Sequence, residues 1–211
     1  MHITRVYIVG FKRLNDFDLE LNSTVNVIVG DNETGKTSVL EAINLVFSHQ
    51  YDGRNIDYGL DPYLFNASKV KAYFSDLREG KQSPLPPRIL IEVYLSNDPG
   101  DPWLAKFKGL INTKNEDCPG LSLSVEVPKD HLEELKGYVK EDSNPEVLPV
   151  EFYKVLWRSF SGNDVFLRSI PLKAKMIDTS LPRVYRGPNM YVEQVANDVL
   201  NEEQRCQLSL A

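Results

Sequence analysis

The sequence predicts an α/β fold in which a mixed β-sheet leads through a glycine loop into an amphipathic helix. Three local patterns carry that expectation. Val25-Asn26-Val27-Ile28-Val29 is short and almost wholly apolar, the form of a strand buried on both faces. It ends at Gly30, and a second glycine follows at Gly35. From Thr37 to Phe47 the apolar positions Val39, Leu40, Ile43, Val46 and Phe47 recur at spacings of three and four, the period of a helix with one buried face.

The other elements follow in chain order. Ile3 to Val9 is a β-branched run, and Phe17, Leu19 and Leu21 alternate with acids, so both read as strands. Residues 50–87 read as a loop-rich insertion with one short helix around Ala67 to Leu77, closed by Pro84, Pro86 and Pro87. Ile89, Ile91, Val93 and Leu95 alternate as a strand that Asn97-Asp98-Pro99-Gly100 stops. Leu121 to Val127 is another strand, and Pro128 to Lys140 is a helix with proline in its first turn. Glu151 to Phe160, a turn at Ser161–Asp164, and Val165 to Ile170 suggest a hairpin. Met190 to about Leu210 has the apolar spacing of a final helix.

Composition narrows the class. The 211 residues carry 24 Lys and Arg against 30 Asp and Glu, a net charge of −6, and 42% are hydrophobic. A chain of this length buries enough apolar surface to need no disulfide or metal staple. Cys118 and Cys206 form no CxxC pair, which argues against a zinc ribbon or redox site. No apolar run approaches the ~18 residues of a membrane span, and no secretory leader precedes the first strand. The expectation is a soluble cytoplasmic protein. One charge asymmetry stands out: Lys154 to Arg186 holds seven basic and two acidic residues, leaving −11 on the rest of the chain. That stretch could face nucleic-acid phosphates or be a solvated face.

Gly30-Asp31-Asn32-Glu33-Thr34-Gly35-Lys36-Thr37-Ser38 fits G-x-x-x-x-G-K-[ST] without a gap. The two glycines permit a tight turn whose backbone N–H groups point inward, and the helix N-terminus adds to this anion cradle. In that arrangement Lys36 bridges the β- and γ-phosphates of a nucleotide, and the Thr37 hydroxyl ligates Mg²⁺. Ser38 sits in the first helical turn and reads as a helix-start residue. The strand before the motif and the helix after it are the context that a P-loop NTPase requires, with ATP and Mg²⁺ as ligands.

Ile8-Val9-Gly10-Phe11-Lys12, Phe17-Asp18-Leu19, Asn26-Val27-Ile28-Val29-Gly30 and Gly35-Lys36-Thr37-Ser38-Val39-Leu40-Glu41-Ala42-Ile43 together resemble the opening of ABC-type ATPases of the RecF/SMC class. The loop lacks the glycine often found after Asn in that class, and in this it is similar to the OLD-family ATP-dependent endonucleases. The resemblance covers roughly residues 3–47. It implies an ABC-ATPase-like N-terminal lobe with a mixed β-sheet, coupling of ATP to DNA processing in repair or phage defence, and a homo-oligomer. It also implies that Lys12 assists phosphate binding and that Asn32 holds the loop's shape.

Two parts of such an ATPase are missing. No apolar strand ends in Asp-Glu, and Ala174-Lys175-Met176-Ile177-Asp178, the nearest approach to Walker B, carries a lysine inside it and Thr179 after it. No Leu-Ser-Gly-Gly signature or secure Q-loop is present. The expectation is therefore that residues 1–211 are the N-terminal part of a larger ATPase domain, incomplete as a catalyst, with 190–211 beginning a helical insertion. The rival reading is a complete short P-loop adaptor or subunit of a defence or repair complex. Nucleoside and small-molecule kinases share the motif but begin with the buried strand itself, whereas two strands precede it here.

Overall fold

In the computed structural model the alternation of Ile3–Val9 (β1) decides the layering: Val6 and Ile8 are wholly buried, while their neighbours Arg5 and Tyr7 reach the other face. The structure describes residues 1–81, 84–98, 100–141, 147–170, 172, 174 and 176. The chain divides into units Met1–Ala174 and Lys175–Ala211, and the elements below belong to the first. The expected helix at 190–210 and most of the Ala174–Asp178 segment lie outside the described residues, as do Lys173, Arg183 and Arg186 of the basic stretch.

β1 pairs on one side with β2 (Phe17–Glu20) and on the other with β5 (Ile89–Leu95), with Ile8 opposite Phe17 and Ile91. β5 pairs in turn with β7 (Cys118–Glu126), and β7 with β8 (Lys154–Ser159), placing Ile91 against Leu123 and Leu123 against Trp157. A two-residue strand, β6 (Lys108–Gly109), pairs with the start of β7. Every pair in this sheet is antiparallel. β5 lies near the centre and is buried along nearly its whole length. Its acidic residue Glu92 is satisfied by the Thr113 N–H (3.0 and 3.1 Å) and the Tyr94 hydroxyl (2.8 Å).

Helix α1 (Lys36–Ser48) covers the sheet with Val39, Ala42, Leu45 and Val46, packed into the same core as Val6, Ile8, Ile91, Val93 and Leu123. It ends at His49 in the left-handed conformation, whose N–H donates to Leu45 O. Leu40, expected on the buried side, is half exposed at 50%, because the covered arc centres on Ala42 and Leu45. The 50–87 segment contains more order than expected. A tight turn at Asp52-Gly53, both with positive φ, joins β3 (Gln50–Tyr51) to β4 (Arg54–Asn55). Helix α2 (Ala67–Arg78) is N-capped by the Asn66 side chain, which accepts from Lys69 N–H. A short helix, α3 (Pro102–Ala105), precedes β6, and α4 (Leu132–Glu141) follows a single 3₁₀ turn after Pro128.

Three sequence expectations are corrected. Val25–Val29 is not a buried strand: it joins no ladder of the described sheet, and Val25, Val27 and Val29 are about four-fifths exposed (78, 77 and 83%). Only Ile28 of this run is partly buried against the core; the three valines that alternate with its other residues are left on the exposed side. The sheet, expected to be mixed, is antiparallel in every described pairing. Val165–Ile170 does not return as a hairpin strand either. After an isolated bridge between Arg158 and Asp164, the Phe166 N–H donates to Ser169 Oγ and the segment closes as a 3₁₀ turn.

Candidate nucleotide-binding site

The site begins at the end of β1. Gly10 has φ 70°, and a Cβ there would lie 2.1 Å from the Arg88 carbonyl oxygen, so only glycine lets the chain turn this close to the start of β5. The turn is held from below. Phe11 is wholly buried, the Lys12 N–H donates to Leu64 O (2.7 Å), the Leu14 N–H donates to Phe11 O (2.7 Å), and the Asn66 side-chain amide donates to Lys12 O (2.8 Å). Three consecutive side chains then diverge, two of them, Arg13 and Leu14, towards residues 30–38.

Leu14 is buried and forms the floor beneath Gly35, where a Cβ would approach Leu14 Cδ2 to 3.0 Å. Gly35 itself has φ 98°, which a side chain would oppose. Gly30 has no such φ; it supplies room, with Thr34 Oγ1 3.1 Å from where its Cβ would be. The loop closes when the Thr34 hydroxyl donates to Asp31 O (2.9 Å). Asn32, expected to hold the loop's shape, makes no hydrogen bond among the described residues, and Thr34 takes that part. Backbone N–H groups from Asn32 to Ser38 likewise find no acceptor among the described residues. The Lys36 ammonium lies over the same loop, donating to Gly30 O (2.8 Å) and Asp31 O (2.5 Å). The Thr37 side chain is exposed in the first turn of α1, and Ser38 is buried.

A run of unbonded N–H groups at a helix N-terminus, beside a lysine whose present acceptors are only its own loop carbonyls, can donate to an anion with several oxygens. The residues present fit a nucleotide polyphosphate, with the Thr37 hydroxyl available to a divalent cation. Lys12 is placed differently from the expectation. Its ammonium pairs with Glu41 of α1 (2.5 Å) and lies over the Tyr51 ring (4.8 Å). Burial alone would lower its pKa, but the hydrogen bonds and charge interaction with Glu41 and Tyr51 outweigh that and hold it raised. The next residue is the one that reaches the loop: Arg13 donates to Glu33 O and to Glu33 Oε2, each at 3.0 Å. Nothing in the local pattern separates Lys12 from Arg13; the turn at Gly10 does.

The family model for the AAA ATPase domain matches residues 1–145, more than two thirds of the chain. The chain belongs to this AAA ATPase domain family. As such it has the P-loop ATPase fold, and the Gly30–Ser38 loop lies within the matched stretch. The AAA ATPase domain is also similar to DNA replication and repair protein RecF from several bacteria. It is 42% identical over 55 residues to that of Xanthomonas euvesicatoria pv. vesicatoria, a stretch covering 26% of this chain and 15% of the relative. For Actinobacillus pleuropneumoniae serotype 5b the figures are 38% over 72 residues, 32% of this chain and 20% of the relative. For Clostridium botulinum Type A they are 32% over 81 residues, 38% and 22%. The matched stretches thus span about a fifth of those proteins or less. A chain from a structural study of ATP-driven dimerization and DNA-stimulated activation of SMC ATPases superposes with a TM-score of 0.43 and 14% identity, over 99% of this chain and 97% of its own. Among the described residues no helix is long and apolar enough to cross a membrane.

Proposed function

We propose that this domain is the ATP-binding N-terminal lobe of a RecF/SMC-like and OLD-like ATPase of the cytoplasm, which uses Mg-ATP to drive DNA processing in repair or phage defence, in association with a nuclease. The carrying observation is the set of unbonded N–H groups from Asn32 to Ser38, with Lys36 held over them. Within the lobe, Lys36 and the loop amides would hold the phosphates, and Thr37 would hold the cation, which supplies charge neutralisation between them. The domain reads as catalytically incomplete. Val25, Val27 and Val29 form an exposed, alternating apolar segment that leads directly into the loop, which suits a strand to be completed by a second lobe carrying the Walker B acid and signature. ATP held between two such lobes would then favour a homo-oligomer.

The test is nucleotide titration of the purified chain with a fluorescent ATP analogue and Mg²⁺. Binding should be present and should weaken at least about tenfold in Lys36→Ala, since a charge-assisted contact to phosphate is lost. A folded wild-type chain without measurable affinity would overturn the binding site. Rapid ATP turnover by this chain, abolished in Lys36→Ala, would overturn the claim that the lobe is incomplete.

A further inference from the structure

Glu33 stands at the crest of the phosphate loop with φ 67°, a left-handed conformation that residues with a Cβ avoid. Among the described residues, Arg13 is the one side chain from outside the loop that hydrogen-bonds to it, and both of its bonds go to Glu33. One guanidinium nitrogen takes the carbonyl and another the carboxylate, a two-point grip that a planar fork supplies and an ammonium does not. The guanidinium is largely exposed, but its backbone is anchored on both sides by the Lys12 bond to Leu64 and by buried Leu14. The grip thus ties the end of β1 to the loop across twenty residues of sequence.

We propose that Arg13 is a positioning residue for the nucleotide: it holds Glu33 in the left-handed conformation that lets the following N–H groups converge, and it neutralises a carboxylate that would otherwise repel the phosphates. This rests on the nucleotide-binding reading of the Lys36 loop. Arg13 acts through Glu33 and not on the phosphates, so its importance depends on what occupies position 33. A glycine there adopts φ 67° without strain, brings no carboxylate, and needs no grip.

A double-mutant cycle tests this by nucleotide titration, alongside backbone ¹⁵N order parameters of the nucleotide-free chain. Arg13→Ala should weaken ATP-analogue binding about five- to tenfold, the scale of one charge-assisted contact, and Arg13→Lys should restore only part of it. In a Glu33→Gly background the same Arg13→Ala change should alter affinity less than about twofold. In the nucleotide-free wild-type sequence, Arg13→Ala should lower the order parameter of Glu33 towards that of a flexible segment. An equal loss in both backgrounds would mean that Arg13 touches the phosphates itself and would overturn the proposal, as would an unchanged order parameter. A folded chain that bound no nucleotide would instead overturn the reading beneath it, and the order parameters tell the two failures apart.

Discussion

Gly10→Ala perturbs the joint that sends Arg13 and Leu14 to the Gly30–Ser38 loop and Lys12 to Glu41 on α1, and its cost can be worked from two separate geometric terms. The backbone there has φ 70°, which costs an L-residue about 1–2 kcal/mol. The new Cβ would also lie 2.1 Å from Arg88 O and 3.3 Å from Arg88 C. Both are backbone atoms at the entry to β5, where Val9 is in register with Leu90, so no side-chain rotation relieves the clash. Forced overpacking of this kind adds about 1–3 kcal/mol. The expected loss is about 2–5 kcal/mol, a large part of the ~5–15 kcal/mol that holds a typical domain. Gly80 provides the control. Its φ is 71°, but nothing lies within 4 Å of an added Cβ, so Gly80→Ala should show only the conformational cost of about 1–2 kcal/mol. The small gain from stiffening the unfolded chain is common to both and cancels in the comparison. Urea unfolding of the three proteins, with the slope held in common, should place Gly10→Ala about 1–3 kcal/mol below Gly80→Ala. If the two variants were equally stable, the close approach of Gly10 to Arg88 would not be a determinant of this fold.

Val27→Asn, at a residue 77% exposed, should change the stability of this chain by less than about 0.5 kcal/mol, whereas Ile91→Ala in the wholly buried centre of β5 should cost about 2–5 kcal/mol. A loss above about 1 kcal/mol for Val27→Asn in urea would show that Val25–Val29 is packed after all. His49 gives a pH signature. Burial pushes it down to about 4, and its Nε2 is buried without a hydrogen-bond partner. The unfolded chain takes up this proton below about pH 6.5 and the folded one only near 4, so stability from neutral His49 is complete above 6.5 and declines as pH falls towards 4. Because the ring is only partly buried, solvent screening reduces the loss to about 1–2 kcal/mol. His49→Asn, which tolerates the left-handed backbone at this position, should flatten that part of the profile. Identical wild-type and variant profiles between pH 4.5 and 6.5 would refute the assignment.

The loop and α1 were legible because their signals are local: two glycines at the required spacing, a lysine and threonine after them, and an apolar repeat at the helical period. β1, β5 and β7 were legible for a similar reason, since alternation along a strand reports which faces are covered. A different signal misled at Val25–Val29: a continuous apolar run says that both faces are apolar and not what lies against them. The turn at Asp52-Gly53 carried its own signature, but the flanking strands have only two residues each, too few for a periodic pattern. Phe166 and Leu167 resembled a returning strand, yet they are exposed once the Ser169 hydroxyl closes their turn.

At the site the division is sharper. Residue type and spacing alone marked Gly30–Ser38 as a glycine loop heading a helix, because that property resides in the backbone conformations and donors of nine consecutive residues. The tertiary structure decided which charges serve it. Lys12 and Arg13 are adjacent and chemically alike, yet one pairs with Glu41 on α1 and the other grips Glu33 on the loop. That choice is made by the turn at Gly10 against Arg88, a contact across 78 positions, and by Leu64 and Asn66 beneath it. Side-chain direction after such a turn depends on where the chain is pinned, and those pins come from segments that local sequence does not bring together.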